Sequence, residues 1–188
     1  MGIYVIFIVI ALVSYLVQSS LKNKFERYSQ MPIAMTGKEV AEKMLHDNGI
    51  YDVRVISTPG MLTDHFNPTD KTVNLSEGVY SSNSVAAAAV AAHECGHAVQ
   101  HATKYGALQL RSSLVPIVSF ASQWISWVLL AGILLIEVMP QIMLAGIILF
   151  AMTTLFSIVT LPVEINASHR ALVWLDRSGI ATGRNNEC

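Results

Sequence analysis

His93, Glu94 and His97 form an H-E-x-x-H pattern within the stretch His-Glu-Cys-Gly-His. On an α-helix, side chains four positions apart lie on the same face, so the two imidazoles project in one direction. Two such nitrogens can bind one zinc ion, and the glutamate between them can reach a water on that ion and accept its proton. The pattern therefore predicts the core of a zinc peptidase, with Glu94 as the general base.

The residues before this motif favour a buried helix. Val85 to Ala92 consists of alanine and valine alone, and alanine has the highest helix propensity. Ser84 or Asn83 is expected to cap the start of this helix. Two histidines on a helix can be ordinary polar residues, but a glutamate and two histidines in so apolar a run would be costly to bury without partners. A bound metal would satisfy all three.

A catalytic zinc ion needs a third protein ligand and an open position for water. His101 repeats the four-residue spacing, but it lies roughly 12 Å along the helix from His93, so one ion cannot bind both. Glu164 is the better candidate, because it directly follows a long uncharged segment, and carboxylates at such helix ends are functional candidates. An interfacial charge is the alternative interpretation of Glu164, and His169 is the alternative ligand.

The composition indicates a membrane protein. Of the 188 residues, 53% are hydrophobic and only 13% are charged, and the mean hydropathy is +0.48. An average soluble domain is less apolar and more charged. The formal net charge of −1 gives no support to nucleic-acid binding. The two cysteines, Cys95 and Cys188, do not suggest a disulfide framework, so a reducing compartment fits.

Three segments are apolar enough to cross a membrane: Ile3 to about Val17, Leu114 to Ile136, and Ile142 to Leu161. The first lacks a preceding basic region and a small-residue cleavage site, so we expect a retained anchor instead of a signal peptide. The other two are long enough to span about 30 Å of hydrocarbon as helices. The short turn from Glu137 to Gln141 makes them a helical hairpin, and a buried helix pair of a soluble protein is the alternative.

Basic residues indicate which side of the membrane holds the motif. They follow the first span, precede the second and follow the third, whereas the hairpin tip has none. By the positive-inside rule, the basic flanks face the cytoplasm, and the hairpin tip and the amino terminus face outward. The motif then lies on the cytoplasmic side of a bacterial inner membrane. The basic residues are Lys22, Lys24, Arg27, Arg111, Arg170, Arg177 and Arg184.

The segment between the first span and the motif has the pattern of a small α+β unit. Thr36 to Gly49 is typical of an amphipathic helix, with Thr36 as its cap and Glu39 as the capping partner. Val53 to Ile56 and Thr72 to Leu75 alternate like short strands. Since extended peptides can bind by adding a strand to an exposed sheet edge, the second strand is predicted as a substrate edge, with a plain structural hairpin as the alternative. The predicted edge residues are Thr72, Val73, Asn74 and Leu75.

Four stretches together resemble the bacterial neutral zinc metallopeptidases of the membrane, over a region from about Met31 to about Ser178. The chain is more distantly similar to the heat-shock and CAAX-prenyl type membrane zinc proteases, which are of the gluzincin kind. This resemblance implies His93, His97 and Glu164 as zinc ligands and Glu94 as the base. The stretches are H-E-C-G-H-A-V-Q (93–100), L-T-D-H-F-N-P (62–68), T-V-N-L-S (72–76) and L-P-V-E-I-N-A-S-x-R-A (161–171).

The chain departs from these families at two points. The distant relatives have an Asp four residues after the ligand Glu, where this chain has Ser168, so Asn166 or Asp64 is expected to take over its orienting role. The nearer family usually continues into further apolar sequence, so we expect a last membrane helix to be missing or naturally absent. The donor that stabilises the oxyanion stays open among His65, Tyr105, His169 and Arg170.

The sequence therefore predicts a mainly α membrane protein with a zincin-like α+β core, a small β-sheet and about three transmembrane helices. The expected regions are an anchor (1–30), the core with the H-E-x-x-H helix (31–110), the transmembrane hairpin (111–162) and the third-ligand helix with the tail (163–188). The expected function is a zinc metalloendopeptidase that acts on protein or peptide substrates at the lipid bilayer. A zinc-binding membrane assembly or adaptor protein is the main alternative, and a non-peptidase hydrolase on the same zinc centre is a third.

Overall fold

The computed structural model describes residues 2–180, with side chains from residue 4 onward. By their internal contacts these residues form two compact units, one of residues up to Cys95 together with those from Ala171 onward, and one of Gly96–Arg170. Helices predominate, as predicted. The described elements are α1 (Gly2–Ser29), α2 (Gly37–Asp47), β1 (Arg54–Thr58), β2 (His65–Asn67), β3 (Thr72–Ser76), α3 (Glu77–Tyr80), α4 (Val85–Ala102), α5 (Gly106–Leu134) and α6 (Pro140–Ser178).

Helix α2 has the predicted amphipathic form. The Thr36 hydroxyl accepts a hydrogen bond from the Glu39 backbone N–H, and the Glu39 carboxylate accepts one from the Thr36 backbone N–H, which completes a capping box. The apolar stripe is buried, and the turn after the helix places Gly49 at a φ of +72°, which favours glycine. The buried apolar residues of the stripe are Val40, Ala41, Met44 and Leu45.

The three-stranded sheet has the order β1-β3-β2, with β3 in the centre. Strand β3 pairs in parallel with β1 and antiparallel with β2, and all five of its residues are buried. The prediction that β3 offers a free edge to a substrate is therefore wrong. The residues concerned are Thr72, Val73, Asn74 and Leu75, of which the first three have strand partners on both sides.

Strand β2, like the short helix α3, is an element that the sequence pattern did not show. It has three residues, which is too short for an alternating pattern to stand out. No residue of β2 pairs with Ser76 at the end of β3. The Asp64 carboxylate bonds to Ser76 instead. Its Oδ1 accepts a hydrogen bond of 2.7 Å from the Ser76 backbone N–H, and its Oδ2 lies 3.0 Å from the Ser76 hydroxyl. This side of β3 is thus covered along its length by β2 and Asp64.

Residues after α1 bond to residues that precede α4. The Ile33 N–H donates to the Asn83 carbonyl at 2.8 Å, and the Val85 N–H donates to the Met31 carbonyl at 3.0 Å. The start of the motif helix is therefore tied to the chain that leaves α1.

Helices α5 and α6 form the predicted hairpin, connected by residues 135–139. A Cβ atom on Gly132 would lie 2.8 Å from the Met143 Cα, and one on Gly146 would lie 2.6 Å from a Leu129 methyl carbon. At Gly132 the two backbones thus approach so closely that glycine is required, as is common where membrane helices pack.

Within the described residues, three helices are long and apolar enough to cross a membrane, which confirms the predicted spans. They are α1, α5 and α6, and the large apolar side chains along them are mostly exposed, as lipid contact requires. Helix α6 is continuous for 39 residues through Pro162. The predicted limit between the hairpin and the third-ligand helix, at 162–163, therefore lies inside one helix, and the division into four regions stays a prediction.

Candidate metal centre

The H-E-x-x-H residues lie on α4, an 18-residue helix. The Ser84 hydroxyl accepts a hydrogen bond of 3.2 Å from the Ala87 backbone N–H. Of the two residues predicted to cap this helix, Ser84 and Asn83, it is therefore Ser84 that does so. Most of the alanine and valine residues in front of the motif are buried, including Ala91 and Ala92 at 0% exposure. The motif thus continues a helix that is embedded in the protein.

His93, His97 and Glu164 form a group that could hold a metal ion, with ligand atoms that all lie within 4.8 Å of one another. The two histidines are one turn apart on α4, and Glu164 comes from α6. The His97 Nε2 lies 3.3 Å from the Glu164 Oε2. Among the described residues, neither His101 nor His169 belongs to this group.

The residues of this group fit a zinc ion. Ligand atoms about 2.1 Å from a tetrahedral zinc ion lie about 3.4 Å apart, and the His97–Glu164 separation of 3.3 Å agrees with this value. Two imidazole nitrogens and a carboxylate oxygen are also a common ligand set of catalytic zinc sites. The group therefore has the chemistry of a three-ligand site, and its His97–Glu164 pair has the spacing of zinc ligands.

Cys95 lies between the two histidines in sequence but is turned away from them. Its thiol is buried and lies 3.5 Å from the Ala41 carbonyl oxygen, to which it donates. Burial, and to a lesser degree the nearby Glu94 charge, raise the pKa of the Cys95 thiol. The group is therefore not one of the cysteine-rich sets that structural zinc sites use.

Gln100 fixes the orientation of His97. It is fully buried, and its Oε1 lies 3.1 Å from the His97 Nδ1. Because an amide oxygen only accepts, the His97 Nδ1 must carry the proton, and its Nε2 is left as the atom that faces Glu164. The Gln100 Nε2 donates to the Val163 carbonyl at 2.8 Å and to the Asn166 Oδ1 at 3.1 Å.

Gln100 orients His97, and an orienting role for Asn166 or Asp64 stays a prediction. Asn166 contributes indirectly, because its Oδ1 accepts hydrogen bonds from Gln100 and from the Arg170 Nε at 2.8 Å. Asp64 binds Ser76. Gln100 lies three residues after His97, a spacing at which helix side chains meet, and this signal could have identified it.

Gly96 allows α4 and α6 to approach each other at the site. A Cβ atom on Gly96 would lie 2.6 Å from the Ala167 carbonyl oxygen, and Val163 and Ala167 are fully buried. The small residues let the two backbones come close enough for Gln100 to reach the Val163 carbonyl.

Arg111 is a second residue near the group that the sequence pattern did not assign to it. It lies on α5, and its Nη2 is 3.6 Å from the Glu164 Oε1. The sequence singled it out only as a basic residue beside a membrane span.

The remaining candidates stay predictions. His65 is exposed in β2, and its Nδ1 lies 2.7 Å from the Thr63 carbonyl oxygen. Tyr105 precedes α5, His169 is exposed on α6, and Arg170 bonds to Asn166. No contact among these distinguishes one of them as the oxyanion donor.

Residues 3–188 match a protein family described as "Putative neutral zinc metallopeptidase". Over 176 residues the sequence is 44% identical to a protein of Bacillus subtilis (strain 168) named "Putative membrane protease YugP", an alignment that covers 93% of this chain and 76% of that protein. No solved structure matches this chain. The resemblance found in the sequence motifs thus extends over nearly the whole chain.

Proposed function

The chain belongs to this family of neutral zinc metallopeptidases, and from that premise we propose that it is an integral-membrane, zinc-dependent endopeptidase. The observation that supports the proposal most directly is the group of His93, His97 and Glu164 within 4.8 Å. In the proposal these three residues hold the zinc ion, and Glu94, one residue after the first histidine on α4, is the general base.

When bound, zinc would polarise the scissile carbonyl and lower the pKa of a water toward 7. Glu94 accepts the proton of the attacking water and passes it to the leaving amine, so one carboxylate serves both halves of the reaction. Gln100 holds the His97 ring in the tautomer that offers Nε2 to the metal. One of His65, Tyr105, His169 and Arg170 donates to the developing oxyanion in this scheme.

We place the site on the cytoplasmic side of a bacterial inner membrane, where it acts on protein or peptide substrates. The support is the distribution of charge around the candidate spans. Arg111 and Arg170 lie toward the ends of α5 and α6 that are far from the connection, while Glu137 is the charged residue of the connection itself. Labelling of the Glu137→Cys variant by a membrane-impermeant reagent in intact cells tests this, and labelling only after lysis would contradict it.

The zinc-binding assembly or adaptor alternative is less well supported. A structural zinc site is normally closed by four ligands, whereas the group found among the described residues has three members, and Cys95 binds the Ala41 carbonyl instead. Three ligands leave a position for water, which hydrolysis needs.

The substitution Glu94→Gln tests the proposal. It should leave zinc bound, because Glu94 is not a ligand, and it should lower the turnover of an unstructured protein substrate by about 10²–10⁴-fold, the contribution of a general base. Glu137→Gln is the matched control, since it removes a carboxylate from the hairpin connection. Zinc content and cleavage rate are measured on the full chain in detergent, and unchanged turnover in Glu94→Gln would contradict the assignment.

A further inference from the structure

We propose that Arg111 is a positioning residue that limits Glu164 to binding zinc through one oxygen. In this way the ion would keep four ligand atoms, the attacking water among them, instead of five. The inference rests on the proposed function, because it takes Glu164 as a zinc ligand.

The two oxygens of the Glu164 carboxylate have different neighbours. Oε2 lies 3.3 Å from Nε2 of His97, which is one of the candidate ligand residues. Oε1 lies 3.6 Å from the Arg111 Nη2. One oxygen therefore faces a ligand, and the other faces a fixed positive charge.

This difference has a consequence for coordination. A carboxylate can bind zinc through one oxygen or through both, and with two histidines and a water the second mode would give five ligand atoms instead of four. A cation at Oε1 stabilises the negative charge on that oxygen where it is, so Oε2 alone is offered to the metal. Carboxylates that bind metals are commonly held by such a neighbour, whose loss reduces affinity or activity.

The surroundings of Arg111 support a specific role. Its side chain and that of Glu164 are about two-thirds buried, with exposures of 33% and 37%, so their attraction is less screened than that of a surface pair. The Arg111 Nε is buried and has no hydrogen-bond acceptor among the described residues. A basic residue that serves only to mark the cytoplasmic side would extend its whole head group into water, and Arg111 does not.

The test compares wild type, Arg111→Met, Arg111→Lys and Glu164→Gln as full chains in detergent. Lys104→Asn is the matched control, because it removes an exposed positive charge from the same unit, and asparagine tolerates the positive φ of 52° there. Each protein is loaded with Co²⁺ in place of zinc. The visible absorption bands of Co²⁺ are strong with four ligands and weaken when a fifth atom binds, so they report the binding mode without reference to activity.

Arg111→Met should keep the metal but show weakened Co²⁺ bands, and its zinc-loaded form should lose about 10–100-fold in kcat with little change in KM. Arg111→Lys should retain most of the wild-type spectrum, because it keeps a charge near Oε1. Lys104→Asn should resemble wild type. If Arg111→Met does not fold, Arg111→Gln, which is neutral and polar, provides the same comparison.

Wild-type Co²⁺ bands in folded Arg111→Met or Arg111→Gln would overturn the proposal, and so would an Arg111→Lys spectrum as weak as that of the neutral variants. Failure of the proposed function gives a different result. In that case Glu164→Gln binds the metal as tightly as wild type, or wild type itself binds none.

Discussion

At the start of helix α2 the polar side chains bond locally and at the surface, whereas around His97 a buried side chain joins residues far apart in sequence. Thr36 and Glu39 form their capping box across three residues, in exposed positions. The Gln100 amide, in contrast, is fully buried and donates to the Val163 carbonyl, 63 residues later.

The two regions also differ in what fills their interiors. The α2 and sheet region has a core of large apolar side chains, such as Met44 and Leu75, at 1% and 0% exposure. At the site, the contact between α4 and α6 is made by Gly96, Val163 and Ala167. Apolar burial supplies stability that depends little on any one polar contact. Close backbone contact and buried hydrogen bonds instead set positions, so single changes there should affect metal binding.

Gly96→Ala should have the largest effect. The added Cβ would lie 2.6 Å from the Ala167 carbonyl oxygen, so α4 and α6 must separate. We expect loss of zinc binding together with about 1–3 kcal/mol of stability, the usual cost of overpacking. Gly106→Ala is the matched control, since no atom lies within 4 Å of its added Cβ. Zinc content and thermal unfolding in detergent measure both effects. A Gly96→Ala variant with full zinc content would show that zinc binding does not need the close contact between α4 and α6.

Gln100→Leu should have the next largest effect, mainly on the metal. It keeps the volume but removes the acceptor for the His97 Nδ1 proton, so the ring loses its fixed orientation. We expect zinc affinity to fall by about 10–100-fold, measured by competition with a chelator. Gln109→Leu is the control, because Gln109 is exposed on α5. Equal affinities in the two variants would show that Gln100 contributes packing alone.

The smallest effect should come from Glu39→Gln, and it should depend on pH. The hydrogen bonds from the Thr36 backbone N–H and hydroxyl lower the Glu39 pKa below its usual 4.5. The stabilising contribution is therefore complete above 4.5 and is lost as the pH falls through the lower folded-state value. Wild type should unfold at a slightly higher temperature than Glu39→Gln at neutral pH, with zinc content unchanged. The difference should vanish well below pH 4.5, and a difference that persisted in acid would contradict this explanation.

Much of the fold could be predicted, because its signals are local. The alanine-rich run ahead of His93, the capping box at Thr36 and the uncharged runs of α5 and α6 each specify an element through their own residues. Glu164 was a candidate for a similar reason, as an isolated carboxylate after an uncharged run. The sheet was less predictable, because β2 is short and the central position of β3 depends on its parallel pairing with β1, whose residues lie 18 positions earlier (Arg54 pairs with Thr72).

Composition and spacing within single segments were enough to specify the longer helices, the candidate spans and the H-E-x-x-H motif. Which polar groups surround that motif is determined only by the tertiary structure. Gln100 meets Val163, and Arg111 meets Glu164, because α4, α5 and α6 come together at positions where small residues permit close approach. Such contacts depend on the distance between backbones, which no single segment encodes.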